Sequence, residues 1–275
     1  MCRMAAYIGV PRSIDALLYV PPRSLHEQAY APREQLDGSV NVDGTAVAWW
    51  PDNAPGPLRY ATTLPPWSDE NLRELAPHLR ARTMIAAVRG ATPGMPLSRA
   101  AVAPFVVGGL AIAHNGWLEG FRHQLGPRLL TDLPANWLGD LEAYSDSQLL
   151  ALHIAARTDP AVELSHTVAS TLGYIADLCR EFELGATLNL IVSDGRQLVA
   201  SRASVNRPCN SLYVLTDSES PWSDGVVIAS EPLDARPWEM VPPDHLVVMT
   251  QTEYQLKPLD NFVCSAAEQP VEQAR

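Results

Sequence analysis

Met1-Cys2-Arg3-Met4-Ala5-Ala6-Tyr7-Ile8-Gly9-Val10-Pro11 opens the chain, and positions 4–10 form an apolar run closed by Gly9 and Pro11. A run of this length ending in turn-forming residues reads as a strand buried on both faces. The chain therefore starts inside its own fold. Further strand-like segments follow at 45–50 and 58–63, joined by the Pro-rich turn 51–57, and then at 82–88 and 105–113. Three helices are expected. The first follows Ser68 as N-cap and carries Leu72, Leu75, Ala76 and Leu79; the second begins at Ser145; the third covers about 161–182. The second half returns to strands at 187–192, 197–201, 212–215, 226–230 and 246–251, with a turn at Ser193-Asp194-Gly195. Positions 20–44 read as a long Pro-containing loop, functional or irregular cover. Strands, then helices, then strands, joined by hairpin turns rather than repeated crossovers, define an antiparallel α+β layer protein. One domain over 1–258 is expected, followed by a polar tail at 259–275.

An apolar share of 47% over 275 residues is enough for a sizeable core. No apolar run approaches the roughly 18 to 20 residues of a membrane helix. Twenty basic against 31 acidic side chains give a formal charge of -11, which repels phosphate backbones and anionic lipid. Nucleic acid and membrane surfaces are thereby disfavoured as partners. Lys257 is the single lysine, so the cations are arginines, suited to two-point recognition of carboxylates. Cys2, Cys179, Cys209 and Cys264 are too scattered for a zinc site or a disulfide scaffold, and no cleavable leader is read at the start. A reducing cytoplasm is the expected location. His26, His78, His123, His153, His166 and His245 lack metal-ligand spacing, so neither a metal nor an organic cofactor is expected.

Cys2 is the most informative position. Once the initiator methionine is removed, one residue carries a thiol and a free α-amine, a nucleophile and a base together. The amine's ordinary pKa of about 7.7 to 8.0 leaves much of it free near neutrality, and a thiol is an intrinsically strong nucleophile. His114-Asn115-Gly116 follows an apolar strand; a side-chain amide beside a Gly N–H can supply two donors to a developing oxyanion, although Asn-Gly is also a common hairpin turn. Arg89, followed by Gly90-Ala91-Thr92, can fork onto a carboxylate or form a surface ion pair. Asp146 in Ser145-Asp146-Ser147-Gln148 can hold a cation or simply cap a helix.

Together and in this order, these features resemble class II glutamine amidotransferases, N-terminal-nucleophile hydrolases that use a cysteine. The resemblance implies a four-layer αββα sandwich of two antiparallel sheets flanked by helices. It also implies roles: Cys2 attacks a γ-amide to give a thioester, the Asn115 side chain and Gly116 N–H form the oxyanion hole, Arg89 and Thr92 hold the α-carboxylate, and Asp146 holds the α-ammonium. A narrower likeness lies in Tyr30-Ala31-Pro32-Arg33, Asn41-Val42-Asp43-Gly44, Gly94-Met95-Pro96 and Ala229-Ser230-Glu231-Pro232, with Trp238 and 242–246 after them. These are similar to a freestanding subfamily of the ergothioneine pathway that removes glutamate from a γ-glutamyl sulfoxide. The implied partner is thus a small γ-glutamyl metabolite; an ammonia-supplying glutaminase or a hydrolase of another γ-glutamyl compound is the alternative. Oligomeric state is not legible. Thr45 and Ala46 replace the subfamily's aromatic and second glycine after Asp-Gly, and Met4 stands where a histidine is common. Positions 125–144 and 216–223 look like insertions, and Ser230 and Glu231 are further candidates to line the site.

Overall fold

In the computed structural model, residues 2–52, 54–216, 222 and 224–260 are described. In chain order the elements are β1 (Arg3–Ser13), α1 (Asp15–Leu18), α2 (Leu25–Tyr30), β2 (Thr45–Trp49), β3 (Leu58–Thr62), α3 (Glu70–Leu75) and β4 (Arg80–Val88). Next come β5 (Phe105–Val107), β6 (Leu110–Leu118), α4 (Gly126–Asp132), α5 (Asp146–Arg157) and α6 (Leu164–Glu181). The chain continues with β7 (Ala186–Ser193), β8 (Leu198–Arg202), β9 (Ser204–Val205), β10 (Tyr213–Thr216), β11 (Gly225–Ala229), β12 (Glu239–Met240), β13 (His245–Met249) and β14 (Tyr254–Pro258).

Two antiparallel sheets result. The first has the order β12-β10-β11-β1-β4-β2-β3, and the second β14-β13-β8-β7-β6-β5, with β9 also paired to β7. The apolar run at the chain start is explained by this placement: β1 lies centrally in the first sheet and is covered on both faces. Met4, Ala6 and Ile8 point into a core shared with Ala111, Ile112 and Ile191 of the second sheet. Ala5 and Tyr7 point the other way, onto Leu17, Leu18, Leu25 and Leu72 of α1 to α3. On the far side of the second sheet Leu149, Leu150, Val168 and Leu172 of α5 and α6 close the first core. The αββα sandwich is therefore observed.

Several local expectations are corrected. The stretch 105–113 is not one strand: Gly108 and Gly109, at φ of 57° and 77°, turn it into a β5–β6 hairpin, a conformation that glycine adopts without steric cost. The N-cap of α3 is Asp69, whose carboxylate accepts Leu72 N–H at 3.0 Å, rather than Ser68. Helix α6 begins at Leu164 rather than 161, because Asp159 accepts Ala161 N–H at 2.9 Å and folds that segment into a turn. The loop read at 20–44 contains α2, and the apparent insertion 125–144 contains α4 and a short 3-10 turn, Ala135–Asp140. The strands β9, β12 and β14 are additional. Of 216–223, only Thr216 and Trp222 are described; Trp222 is fully buried against Tyr7. Leu259 is still packed in the core, and the remainder of the expected tail from 261, Cys264 included, lies outside the described residues. No described helix is long and apolar enough to cross a membrane.

Candidate active site

Three strands of the first sheet meet at one edge. The register pairs Arg3 with Val88 and Ala5 with Ala229, so Cys2, Arg89 and Ser230 are neighbours at the start of β1 and the ends of β4 and β11. Ser230 N–H donates to Met4 O at 2.8 Å, and its Oγ accepts Met4 N–H at 3.1 Å. Cys2 itself is half-buried, while Arg3 behind it is fully buried.

The second sheet supplies β6. His114-Asn115-Gly116 lies within this strand and not in a hairpin turn, which sets aside the turn alternative. Asn115 is completely buried, and its Nδ2 lies 3.5 Å from Ser230 Oγ, joining the two sheets. Gly116 pairs with Leu188, whose own N–H is committed to Ala203 O at 2.9 Å on the other side of β7. By antiparallel alternation the Gly116 N–H therefore points away from β7, to the side on which Leu118 N–H meets Asp146. A Cβ at 116 would stand 1.9 Å from Thr187 O, so this position excludes any side chain.

Asp146 is the first residue of α5, but the cap is Ser145, whose Oγ accepts Gln148 N–H at 3.2 Å. The Asp146 carboxylate instead accepts Leu118 N–H at 3.2 Å and Ser147 N–H at 2.7 Å, which draws the helix start onto the end of β6. His114 braces the same junction: Nε2 is 3.0 Å from Thr187 O and Nδ1 is 2.9 Å from Ser147 Oγ. Burial pushes the His114 pKa down, opposed by the nearby Asp146, and Nε2–H donates to Thr187 O, since a carbonyl oxygen only accepts.

Arg89 is only 7% exposed, and its Nη1 has no hydrogen-bond partner. Its backbone is clamped by Gly44 O and Asp43 N–H, both at 2.8 Å, and Asp43 Oδ2 accepts Ala91 N–H at 2.7 Å, fixing the path toward Thr92. Thr92 lines a cavity of about 290 Å³ with Asp37, Gly38, Ala91, Pro93, Trp117 and Arg207. The cavity is bounded by the segment following Arg89 and by the residue following Gly116. The structure thus brings Cys2, Arg89, Asn115, Gly116 and Asp146 to one edge of the sandwich, with Thr92 on the adjoining cavity wall.

The surroundings include Glu231, expected with Ser230 to line the site, and two residues that sequence reasoning missed, Asn210 and Arg207. Glu231, only 2% exposed, accepts from Arg3 and Arg23 guanidinium groups at 3.3 Å each, and from Arg33 and Glu34 N–H at 3.0 and 3.1 Å. Asn210 Nδ2 donates to Asn115 O at 3.1 Å, and Arg207 stacks 4.6 Å over the Trp117 ring. The Ala229-Ser230-Glu231-Pro232 stretch is the signal that marked Glu231; Asn210 and Arg207 carried none. Among the described residues, no group of three or more His, Cys, Asp or Glu side chains is placed to hold a metal.

A thiol, a buried amide, a guanidinium with an unpartnered Nη1 and a carboxylate at the edge of an αββα sandwich define an N-terminal-nucleophile type amidotransferase architecture. The chain belongs to the family described as "Glutamine amidotransferases class-II", which matches residues 24–270. Curated relatives include the gamma-glutamyl-hercynylcysteine sulfoxide hydrolase of Mycolicibacterium smegmatis, 35% identical over 94% of this chain and 100% of that protein. The protein of the same name from Mycobacterium tuberculosis is 33% identical over 94% of this chain and 97% of that protein. Among solved structures, a glutamine aminotransferase class-II domain protein from Silicibacter pomeroyi superposes with a TM-score of 0.67 at 22% identity, covering 94% of this chain and 99% of that one. Glutamine phosphoribosylpyrophosphate amidotransferase from B. subtilis superposes at 0.66 and 16% identity over 94% of this chain and 50% of that one, a likeness of fold.

Proposed function

We propose that this protein is a cytoplasmic amidohydrolase that cleaves γ-glutamyl-hercynylcysteine sulfoxide to glutamate and the amine-bearing sulfoxide, the substrate named for its relatives. The observation that carries the reading is the Arg89 guanidinium, buried beside Cys2 with Nη1 partnerless. A buried charge is paired, and here the missing partner is the substrate's α-carboxylate. Thr92 assists it, and Asp146 takes the α-ammonium, so the two charges of a glutamyl group meet opposite charges at its two sides.

With Met1 removed, the α-amine of Cys2 accepts the thiol proton and the sulfur attacks the γ-carbonyl carbon. The oxygen that becomes negative is held by Asn115 Nδ2 and Gly116 N–H. Collapse breaks the C–N bond, the leaving amine takes the proton back from the α-ammonium, and a γ-glutamyl thioester remains. Water, deprotonated by the same amine, adds to the thioester and releases glutamate and the thiol. The half-open cavity beside Thr92 and Trp117 supplies room for the leaving group.

The test is release of glutamate from γ-glutamyl-hercynylcysteine sulfoxide and, in parallel, from L-glutamine, together with the intact mass of the active protein. The sulfoxide should be hydrolysed far faster than glutamine, the mass should lack the initiator methionine, and Cys2→Ala should be inert. Preferential ammonia release from glutamine would make this a glutaminase instead. Retained Met1 in fully active material, or turnover by Cys2→Ala, would end the mechanism.

A further inference from the structure

We propose that Ser230 is a positioning residue for the oxyanion hole: its hydroxyl donates to Asn115 Oδ1 and thereby turns Asn115 Nδ2 toward the reacting carbonyl. This rests on the role proposed above for Asn115. Ser230 is itself immobilised. It is fully buried, its N–H and Oγ are both bonded to Met4, and its carbonyl accepts the Ser211 hydroxyl at 2.7 Å.

Asn115 is held from behind as well. Its carbonyl accepts Asn210 Nδ2, and Asn189 Nδ2 donates to the carbonyls of Asn210 and Ser211 at 3.3 and 3.1 Å. A chain of buried polar groups thus runs from the backbone of Asn115 to that of Ser230 and fixes the separation between their side chains.

The two side chains then present complementary unmet needs. In the arrangement with Asn115 Nδ2 facing Ser230, the contact is long at 3.5 Å, and Asn115 Oδ1 is buried with no donor. Ser230 Oγ in that arrangement only accepts, although a hydroxyl also carries one proton to give. A half-turn of the amide about χ2 keeps its shape and exchanges its ends. The Ser230 proton then goes to Oδ1, and the NH₂ group keeps both hydrogens on the side away from Ser230, free for an incoming oxygen. The first arrangement leaves two groups unmet, the Asn115 carbonyl and the Ser230 proton, whereas the second leaves only the NH₂, which faces the place of the developing oxyanion. Without the hydroxyl, nothing at this place selects between them, and the wrong one presents a carbonyl oxygen to a developing oxyanion.

Ser230→Ala, Asn115→Ala and the double variant test this by steady-state glutamate release from γ-glutamyl-hercynylcysteine sulfoxide and from L-glutamine. Ser230→Ala should lower kcat about tenfold with KM nearly unchanged, because the amide matters to the charged intermediates of both acylation and deacylation. Asn115→Ala should lose about 10²- to 10³-fold. The double variant should be no slower than Asn115→Ala, since once the amide is gone Ser230 has nothing to orient. Should Ser230→Ala fail to fold, Ser230→Cys, a near-isostere with a weak donor, carries the same prediction of lowered kcat at constant KM. Wild-type kcat in the serine variant, or losses that multiply in the double variant, would overturn the inference while leaving the oxyanion role of Asn115 standing. Full turnover by Asn115→Ala would instead remove that role itself.

Discussion

Gly116 shows how tightly one residue is set by its neighbours. The atoms a Cβ would meet are Thr187 O at 1.9 Å, His114 Nε2 at 2.2 Å and Thr187 C at 2.8 Å, two of them backbone of the paired strand. Backbone in a central ladder cannot give way as a flexible side chain can, so Gly116→Ala must spread β6 from β7 at the point where the amide donor is held. Overpacking of this kind costs about 1–3 kcal/mol or more, and urea unfolding should show a loss at the upper end of that range together with loss of turnover. Gly173 on α6, where a Cβ would meet nothing within 4 Å, is the control. Gly173→Ala should be stabilising by about 0.5–1 kcal/mol through helix propensity. Equal unfolding midpoints for Gly116→Ala and wild type would contradict the geometry.

The elements that carry the site are held together by ties of very different sequence range, and this governs what could be read in advance. The strand β1 is legible because it is apolar on both faces, and β2 with β3 because turn residues separate them. The β5–β6 break is hidden because Gly108 and Gly109 interrupt an otherwise apolar run without any polar residue. Helix α2 has six residues and only three buried positions, too few for a period to emerge. Within the site, Cys2, Arg89, Asn115, Gly116 and Asp146 could be named only from their order along the chain and the resemblance that order carries, since each alone has an ordinary structural explanation. Glu231 could be named only as a residue lining the site, and its partners were not legible because its ties are non-local: it reaches Arg3 across 228 positions and Arg33 N–H across 198. One carboxylate thus joins Arg3, the residue after Cys2, Arg23 just before α2, and the start of the segment that leads to Asp37 and Gly38 on the cavity wall, while the Glu231 backbone carbonyl accepts Gln28 Nε2 of α2. Glu231→Ala would leave Arg3 buried without its counter-charge, and breaking a buried pair from one side costs about 3–5 kcal/mol. Denaturant titration should show that loss, and limited proteolysis should find new cleavage within 31–41. An unchanged midpoint would mean that the carboxylate is dispensable to these elements.

Over the whole sandwich, two buried histidines make stability depend on pH in a direction opposite to that of the net charge. At -11 the folded molecule repels itself, so acidification from pH 7 should by charge alone relieve the repulsion. His114 and His153 work the other way. His114 Nε2–H donates to Thr187 O while Nδ1 faces Ser147 Oγ; His153 Nε2–H donates to Leu129 O while Nδ1 accepts from Arg157. Burial is the leading cause that lowers both pKa values below the ordinary 6.5; at His153 the Arg157 charge adds to it, whereas Asp146 partly offsets it at His114. The unfolded chain therefore binds these protons first. Their contribution to stability is complete above about pH 6.5 and is lost as pH falls through the lowered folded values. The unfolding midpoint should accordingly decline between pH 6.5 and 5, before carboxylates begin to titrate, although the net charge is moving toward zero. His153→Gln, whose ring partners Leu129 and Arg157 are not among the candidate site residues, keeps a donor for Leu129 O and removes the titration, so its decline should be shallower than that of the wild type while turnover at pH 7.5 is preserved. A midpoint that rises on acidification, or an unchanged slope in His153→Gln, would show that surface repulsion outweighs the buried rings, His153 joining α4 to α5 and His114 joining β7 to the start of α5.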